Sequence, residues 1–85
     1  MNIDLDLAKV HLTKTSRTHA CTEASDIGMR PGIDVPTTIT VIKEGKRSVF
    51  HYRGTKRDDE GDVEEWSYRH TNPSGMHFWL TVFND

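Results

Sequence analysis

The chain has a single cysteine, Cys21, among its 85 residues, so no disulfide can form within it. A lone thiol fits a reducing compartment. No apolar run approaches the roughly 20 residues that a transmembrane helix needs. At the N-terminus, Ile3, Leu5 and Leu7 alternate with Asn2, Asp4 and Asp6, where a signal peptide would have a basic start and a continuous apolar stretch. Cytoplasmic residence without a membrane partner is therefore expected. Aromatic residues are missing before Phe50. All seven (three Phe, two Tyr, two Trp) lie in the second half, which should hold most of the core. Charge of one sign is lacking too: 11 basic against 13 acidic residues gives a net charge of −2. That balance argues against a generally basic nucleic-acid binder and against an acidic mimic of DNA, while leaving room for a local patch. A mean hydropathy of −0.66 is polar for a globular chain, but 34% hydrophobic residues is above the range of disorder. The length suits one domain, residues 1–85, with a modest core that self-association into a homo-oligomer would help to stabilise.

What the second half contains is alternation. Residues 36–43, 47–54, 62–70 and 76–84 each place large apolar side chains at every second position, as half-buried antiparallel strands do. Glu44-Gly45 supplies the tip of a tight hairpin, and Asn72-Pro73-Ser74-Gly75 is a strong reversal. Strand parity gathers Ile39, Val41, Phe50, Tyr52, Trp66, Tyr68, Met76, Phe78, Leu80 and Val82 on one face, the expected core. The reading is a mainly β, single small domain: an antiparallel four-strand meander over 36–85, joined by an N-terminal strand and curled into a half-open barrel or roll. An open sheet that dimerises through its apolar face is the alternative.

Two segments precede the meander. Residues 1–14 read as a strand or a docking extension. Within 15–35, the alternation of Thr18, Ala20 and Thr22 against His19, Cys21 and Glu23 reads as a strand, followed by a capped turn. Ser25 or Asp26 can cap a single helical turn, Gly28 can provide a left-handed exit, and Pro31-Gly32 suits a type II turn. Leu5, Leu7, Leu12, Ile27 and Met29 are the candidates to cover the apolar face. The same turn could instead present Asp26 and Arg30 to a partner.

The pattern E-A-S-D-[IL]-G-x-x-P-G, carried here by Glu23, Ala24, Ser25, Asp26, Ile27, Gly28, Pro31 and Gly32, with Pro36 following, resembles a family of very small uncharacterised bacterial and phage-associated proteins. Glu60-Gly61-Asp62 and the ending Val82-Phe83-Asn84-Asp85 extend the resemblance over about residues 18–85. Met29, and Asp34-Val35 where an aromatic is commoner, depart from it. The resemblance implies a bacterial or mobile-element source and carries over no activity and no catalytic residue.

Catalytic and metal-binding patterns are scarce. Cys21 shares a strand face with His19, but a nucleophile also needs a lowered thiol pKa and an orienting group; a small buried hydrophobe is the simpler role. The five histidines form no H-x-x-x-H or H-E-x-x-H motif. The acids of residues 58–62 lack the alternate spacing of a calcium loop. No phosphate loop or nucleophile elbow is present. No enzyme, cofactor or metal is expected.

Attention therefore falls on the opposite, polar face. There Trp79 and Phe83 are out of place among Arg53, Arg69 and His77, and an aromatic flanked by cations is a common composition for a contact hot spot. Trp79 is either such a contact or is covered by the N-terminal segment with Arg69 stacked on it. The expected function is a non-enzymatic protein-binding module, an accessory or inhibitor protein from a phage or mobile element. The alternative is a small β-barrel holding single-stranded nucleic acid on Trp79, Phe83, Arg53, Arg69 and Lys46, which the net charge disfavours.

Overall fold

Seven strands follow one another in the computed structural model, which describes all residues from Met1 to Asp85. They are β1 (Asn2–Asp6), β2 (Lys14–Thr15), β3 (His19–Glu23), β4 (Thr38–Lys43), β5 (Lys46–Arg57), β6 (Val63–Thr71) and β7 (His77–Phe83), with a 3-10 turn at Ala24–Ile27 between β3 and β4. They form one mixed sheet in the order β1-β4-β5-β6-β7-β3-β2, curled into a half-barrel. The four alternating runs of the second half are its antiparallel centre, β4 to β7. The N-terminal segments extend it on both sides: β1 lies parallel to β4, and β3 lies parallel to β7. The sheet is thus wider than the single added strand expected: β1 and β3 join its centre by parallel pairings, and β2 closes the edge antiparallel to β3.

Local chemistry sets the turns. Glu44 and Gly45 both take positive φ, 51° and 78°, forming the two-residue tip that joins Lys43 to its opposite number Lys46; such a tip matches the twist of the flanking strands. Between Arg30 and Ile33, whose N–H donates to the Arg30 carbonyl at 3.1 Å, Pro31 and Gly32 occupy the centre of the turn, with Gly32 at φ 79°. The 3-10 turn leaves through Gly28 at φ 69°. Its start differs from the expectation, since neither Ser25 nor Asp26 caps it and Glu23 stands at the cap without a side-chain bond. Ser25 instead donates its hydroxyl and its N–H to the Asp85 carboxylate. That hydroxyl bond holds the Asp85 carboxyl below its ordinary range.

The core lies on the concave face. Leu5, Ile39, Phe50, Trp66, Tyr68, Leu80 and Val82 are buried there, with Ala24 and Met29 sealing the end where β3 and β6 meet the 3-10 turn. Six of the ten residues assigned to this face are buried, and Val41 and Phe78 pack half-buried beside them. Tyr52 and Met76 are corrections: they stay 39% and 38% exposed. Tyr52 aligns past the start of β4, where its N–H reaches the Thr37 carbonyl at 2.9 Å, and so only its edge meets Tyr68. Met76 falls in the turn before β7.

Parity is as expected, and the Glu44-Gly45 tip sets Ile39 opposite Phe50 and Val41 opposite Ser48. The β6–β7 register differs from the one read from the sequence, which sets Trp79 opposite Ser67 and His77 opposite Arg69: Trp79 faces Arg69 and His77 faces Thr71. That slip is two residues, which preserves the face while changing the neighbour. A bulge between Tyr52 and Gly54 inserts Arg53 opposite no single partner. Beyond it β5 continues to Arg57, so residues 55–57 are paired strand and the acidic loop shortens to residues 58–62. Within that loop the Asp58 carboxylate accepts the backbone N–H groups of Glu60 and Asp62.

Tyr68 is wholly buried, and its hydroxyl donates to the Pro36 carbonyl at 2.8 Å. This bond fixes the lead-in to β4 against the centre of the sheet, and burial pushes the phenol pKa up. Replacing Tyr68 by Phe strips a buried carbonyl of its donor. The expected loss is about 1–2 kcal/mol of unfolding free energy, read as a lower urea midpoint with an unchanged slope; an unchanged midpoint would show that the bond contributes nothing.

Candidate functional site on the outer face of the sheet

Alternate residues of β5 point away from the core. Arg47, Val49 and His51 therefore stand in a row on the convex face, about 7 Å apart at the usual strand rise, and the bulge adds Arg53 to its end. Arg69 of β6 lies directly opposite His51. Together with His70 and Thr71 these residues line a shallow groove of about 510 Å³. No acidic side chain lines it. Arg47 stands 3.6 Å from the Asp4 carboxylate, whereas Arg53 and Arg69 have no carboxylate within ion-pair distance. Arg53 and Arg69 are thus free to pair with an anion from outside the chain.

The next strand sets an aromatic ring beside the groove. Trp79 of β7 sits directly opposite Arg69, and the guanidinium carbon lies 5.6 Å from the ring centroid. A cation over an indole at an exposed site is worth roughly 0.5–1 kcal/mol. The ring remains 38% exposed. Arg69 does stack on it, but the N-terminal strand does not cover it. β1 lies across the sheet beside β4, and the neighbour of Trp79 is His19 of β3. Beside the groove, His77 Nδ1 is 2.8 Å from the Thr71 hydroxyl.

Of the expected contact residues, the fold thus brings together Arg53, Arg69, Trp79 and His77. It separates the others. Phe83, 37% exposed, lies four residues along β7 from Trp79, about 13 Å away, between Glu65 and Glu23. Arg30 is paired with Asp34, and Asp26 is exposed on the 3-10 turn, at the opposite end of β3 from His19 and Trp79. Lys46 stands at the β4–β5 tip, opposite Lys43. Sequence reasoning misses Arg47, which belongs to the row only if β5 starts before it; its odd number, shared with His51 and Arg53, is the signal that finds it.

Cys21 and His19 meet as their shared face requires, with Sγ 3.8 Å from Nε2, while that nitrogen is also 2.9 Å from the Thr81 hydroxyl. The thiol is only 3% exposed. Burial pushes its pKa up, the nearby Lys14 only partly opposing this, so the thiolate that a nucleophile requires is disfavoured. No three His, Cys, Asp or Glu side chains converge as a metal site would require. No helix is long and apolar enough to cross a membrane.

Fold and face together define a small half-barrel with a cationic groove on its convex side and Trp79 stacked beside it on Arg69. The chain matches no protein-family model, no curated protein and no solved structure.

The buried thiol gives a direct check on the Cys21 environment. Native protein should react with an aromatic disulfide reagent at least ~100-fold more slowly than urea-unfolded protein at neutral pH. Equal rates would mean that Cys21 is accessible and activated.

Proposed function

We propose that this protein is a non-enzymatic binding module whose convex face docks on an acidic patch of a partner protein. The observation that carries this reading is the pair Arg53 and Arg69, which lack carboxylate partners in a chain holding 13 acids, beside the half-exposed Trp79. Arginine and tryptophan are the residues most enriched at contact hot spots. A planar guanidinium receives a carboxylate through two parallel N–H bonds, and Trp79 adds apolar area at small entropic cost. The small size of the chain and its aromatic–cationic face support an accessory or inhibitor role, and the lone buried cysteine supports cytoplasmic residence.

A second reading, single-stranded nucleic acid, is favoured by one observation: Arg47, His51 and Arg53 form a regular row next to a stackable ring. A polyanion could track such a row while a base rests on Trp79. Phe83 does not join it, because Glu23 and Glu65 flank that ring.

Lysate capture compared between the wild type and Arg53→Ala/Arg69→Ala tests the first reading. A protein retained by the wild type should be lost by the double variant and by Trp79→Ala, each of which should keep its circular dichroism spectrum and lose under about 1 kcal/mol of stability. Retention by the double variant would move the contact off this face. In parallel, a labelled 20-mer of thymidylate is titrated at 50 and 200 mM salt. Tight binding that collapses at the higher salt would replace the protein reading with the nucleic-acid one.

A further inference from the structure

The half-barrel has two unequal ends. Where β3 and β6 meet the 3-10 turn, Ala24 and Met29 close the core, and the Tyr68 hydroxyl ties in buried Pro36. At the other end, beneath the β4–β5 and β6–β7 turns, the concave face opens into a cavity of about 1000 Å³. Its apolar wall is formed by Leu7, Leu12, Val41, Phe50, Phe78 and Leu80. Four of these, Leu7, Leu12, Val41 and Phe78, are only half-buried. A protein with 14 of 85 residues buried has little apolar surface to spare, and here it leaves a contiguous share of it wet. Barrel mouths with apolar walls and a few placed polar groups are the usual seats of small ligands.

The polar groups specify the ligand's charge. Arg17, Lys43 and Lys46 stand at the cavity with Glu44 as the single acid, and none of the three cations has a carboxylate within ion-pair distance. Half-buried His70 lies between Phe50 and Phe78, with ring centroids 5.5 and 6.2 Å away. Its Nδ1 donates to the Val49 carbonyl at 3.0 Å. An apolar trough under a cationic rim is complementary to an amphipathic anion: hydrocarbon against the wall, carboxylate among the lysines.

We propose that the open mouth of the half-barrel is a binding site for a free medium-chain fatty-acid anion, with the chain along Leu12, Val41 and Phe78 and the carboxylate held by Lys43 and Lys46. This site borders the convex one, since His70 lines both and Trp79 lines the cavity as well, but its cations, Lys43 and Lys46, are not those of the groove, so it stands whether or not that groove binds a partner.

The test is calorimetric titration of the whole chain with dodecanoate below its micellar concentration. Acetate, which has the head alone, and dodecyltrimethylammonium, which has the tail with the opposite charge, serve as comparators. Saturable one-to-one binding of dodecanoate, with neither comparator bound, is the expected result. Lys43→Glu/Lys46→Glu should weaken it at least tenfold, and Leu12→Asp, on a loop outside the buried core, should abolish it while circular dichroism stays unchanged. Arg53→Ala/Arg69→Ala should leave it intact. The proposal is overturned if dodecanoate does not saturate, if dodecyltrimethylammonium binds equally, if Leu12→Asp has no effect, or if the convex-face variant removes the binding. Preference for anionic phospholipid vesicles over free dodecanoate would overturn it in favour of a membrane surface.

Discussion

The pairing of β6 with β7 governs both faces of this protein at once. Tyr68 against Leu80 and Trp66 against Val82 put the largest buried side chains on the concave side. The intervening pair, Arg69 against Trp79, is thereby forced onto the convex side. A shift of one residue would expose Tyr68 and bury a guanidinium, and an unpaired buried charge is prohibitively costly. The core therefore holds the outer stack in place: Arg69 and Trp79 need few contacts of their own because the residues on either side of them are locked. The Tyr68 hydroxyl carries the same restraint outward to Pro36 and the entry of β4.

The bulge at Arg53 shows how one added residue changes a surface without changing the fold. A regular β5 would alternate strictly to its end. With Arg53 inserted between the Tyr52–Tyr68 and Gly54–Ser67 pairs, the strand gains a cation on the convex side and still returns Thr55 to a place opposite Trp66. Bulges commonly re-aim a side chain next to a working surface. Charge is segregated in the same way. Asp58, Asp59, Glu60, Asp62 and Glu64 cluster at or beside the β5–β6 loop, whereas the groove lining holds three arginines and no acid. A net charge of −2 thus averages two opposed regions, and an argument from the sum alone underrates the groove.

The antiparallel centre was legible in the sequence because its signals are local: apolar alternation, a Glu-Gly tip and an Asn-Pro-Ser-Gly reversal. Parity followed from them, and so did the inward placement of Phe50, Trp66, Tyr68, Leu80 and Val82. The parallel pairings were not legible. The β1–β4 and β3–β7 contacts join segments far apart in the chain, and nothing in Ile3-Asp4-Leu5 or Ala20-Cys21-Thr22 names a partner strand. Register was lost for a related reason: a two-residue slip keeps every face correct, so alternation cannot detect it, and the neighbour of Trp79 was misassigned. His70 escaped notice because a histidine carries no apolar signal, yet its even number places it in line with Trp66 and Tyr68, between two phenylalanines.

The two ends of the half-barrel express a conflict that a small domain must settle. Closing both would bury more apolar surface, at roughly 25 cal/mol per Å², and β1, β3 and the 3-10 turn achieve this at one end only. At the other, the chain from Leu7 to Thr18 borders the trough and is tied to the strands by scattered backbone bonds, such as Leu7 N–H to the Ile42 carbonyl and Trp79 N–H to the Thr18 carbonyl, and by the short β2. The space of about 1000 Å³ is far more than a few larger side chains at Val41 or Ala20 would fill, and it lies beneath a rim of lysine and arginine. Stability has been left unclaimed where apolar wall and positive charge meet, and a departure of this kind from local consistency is what a working surface, rather than the fold, would require.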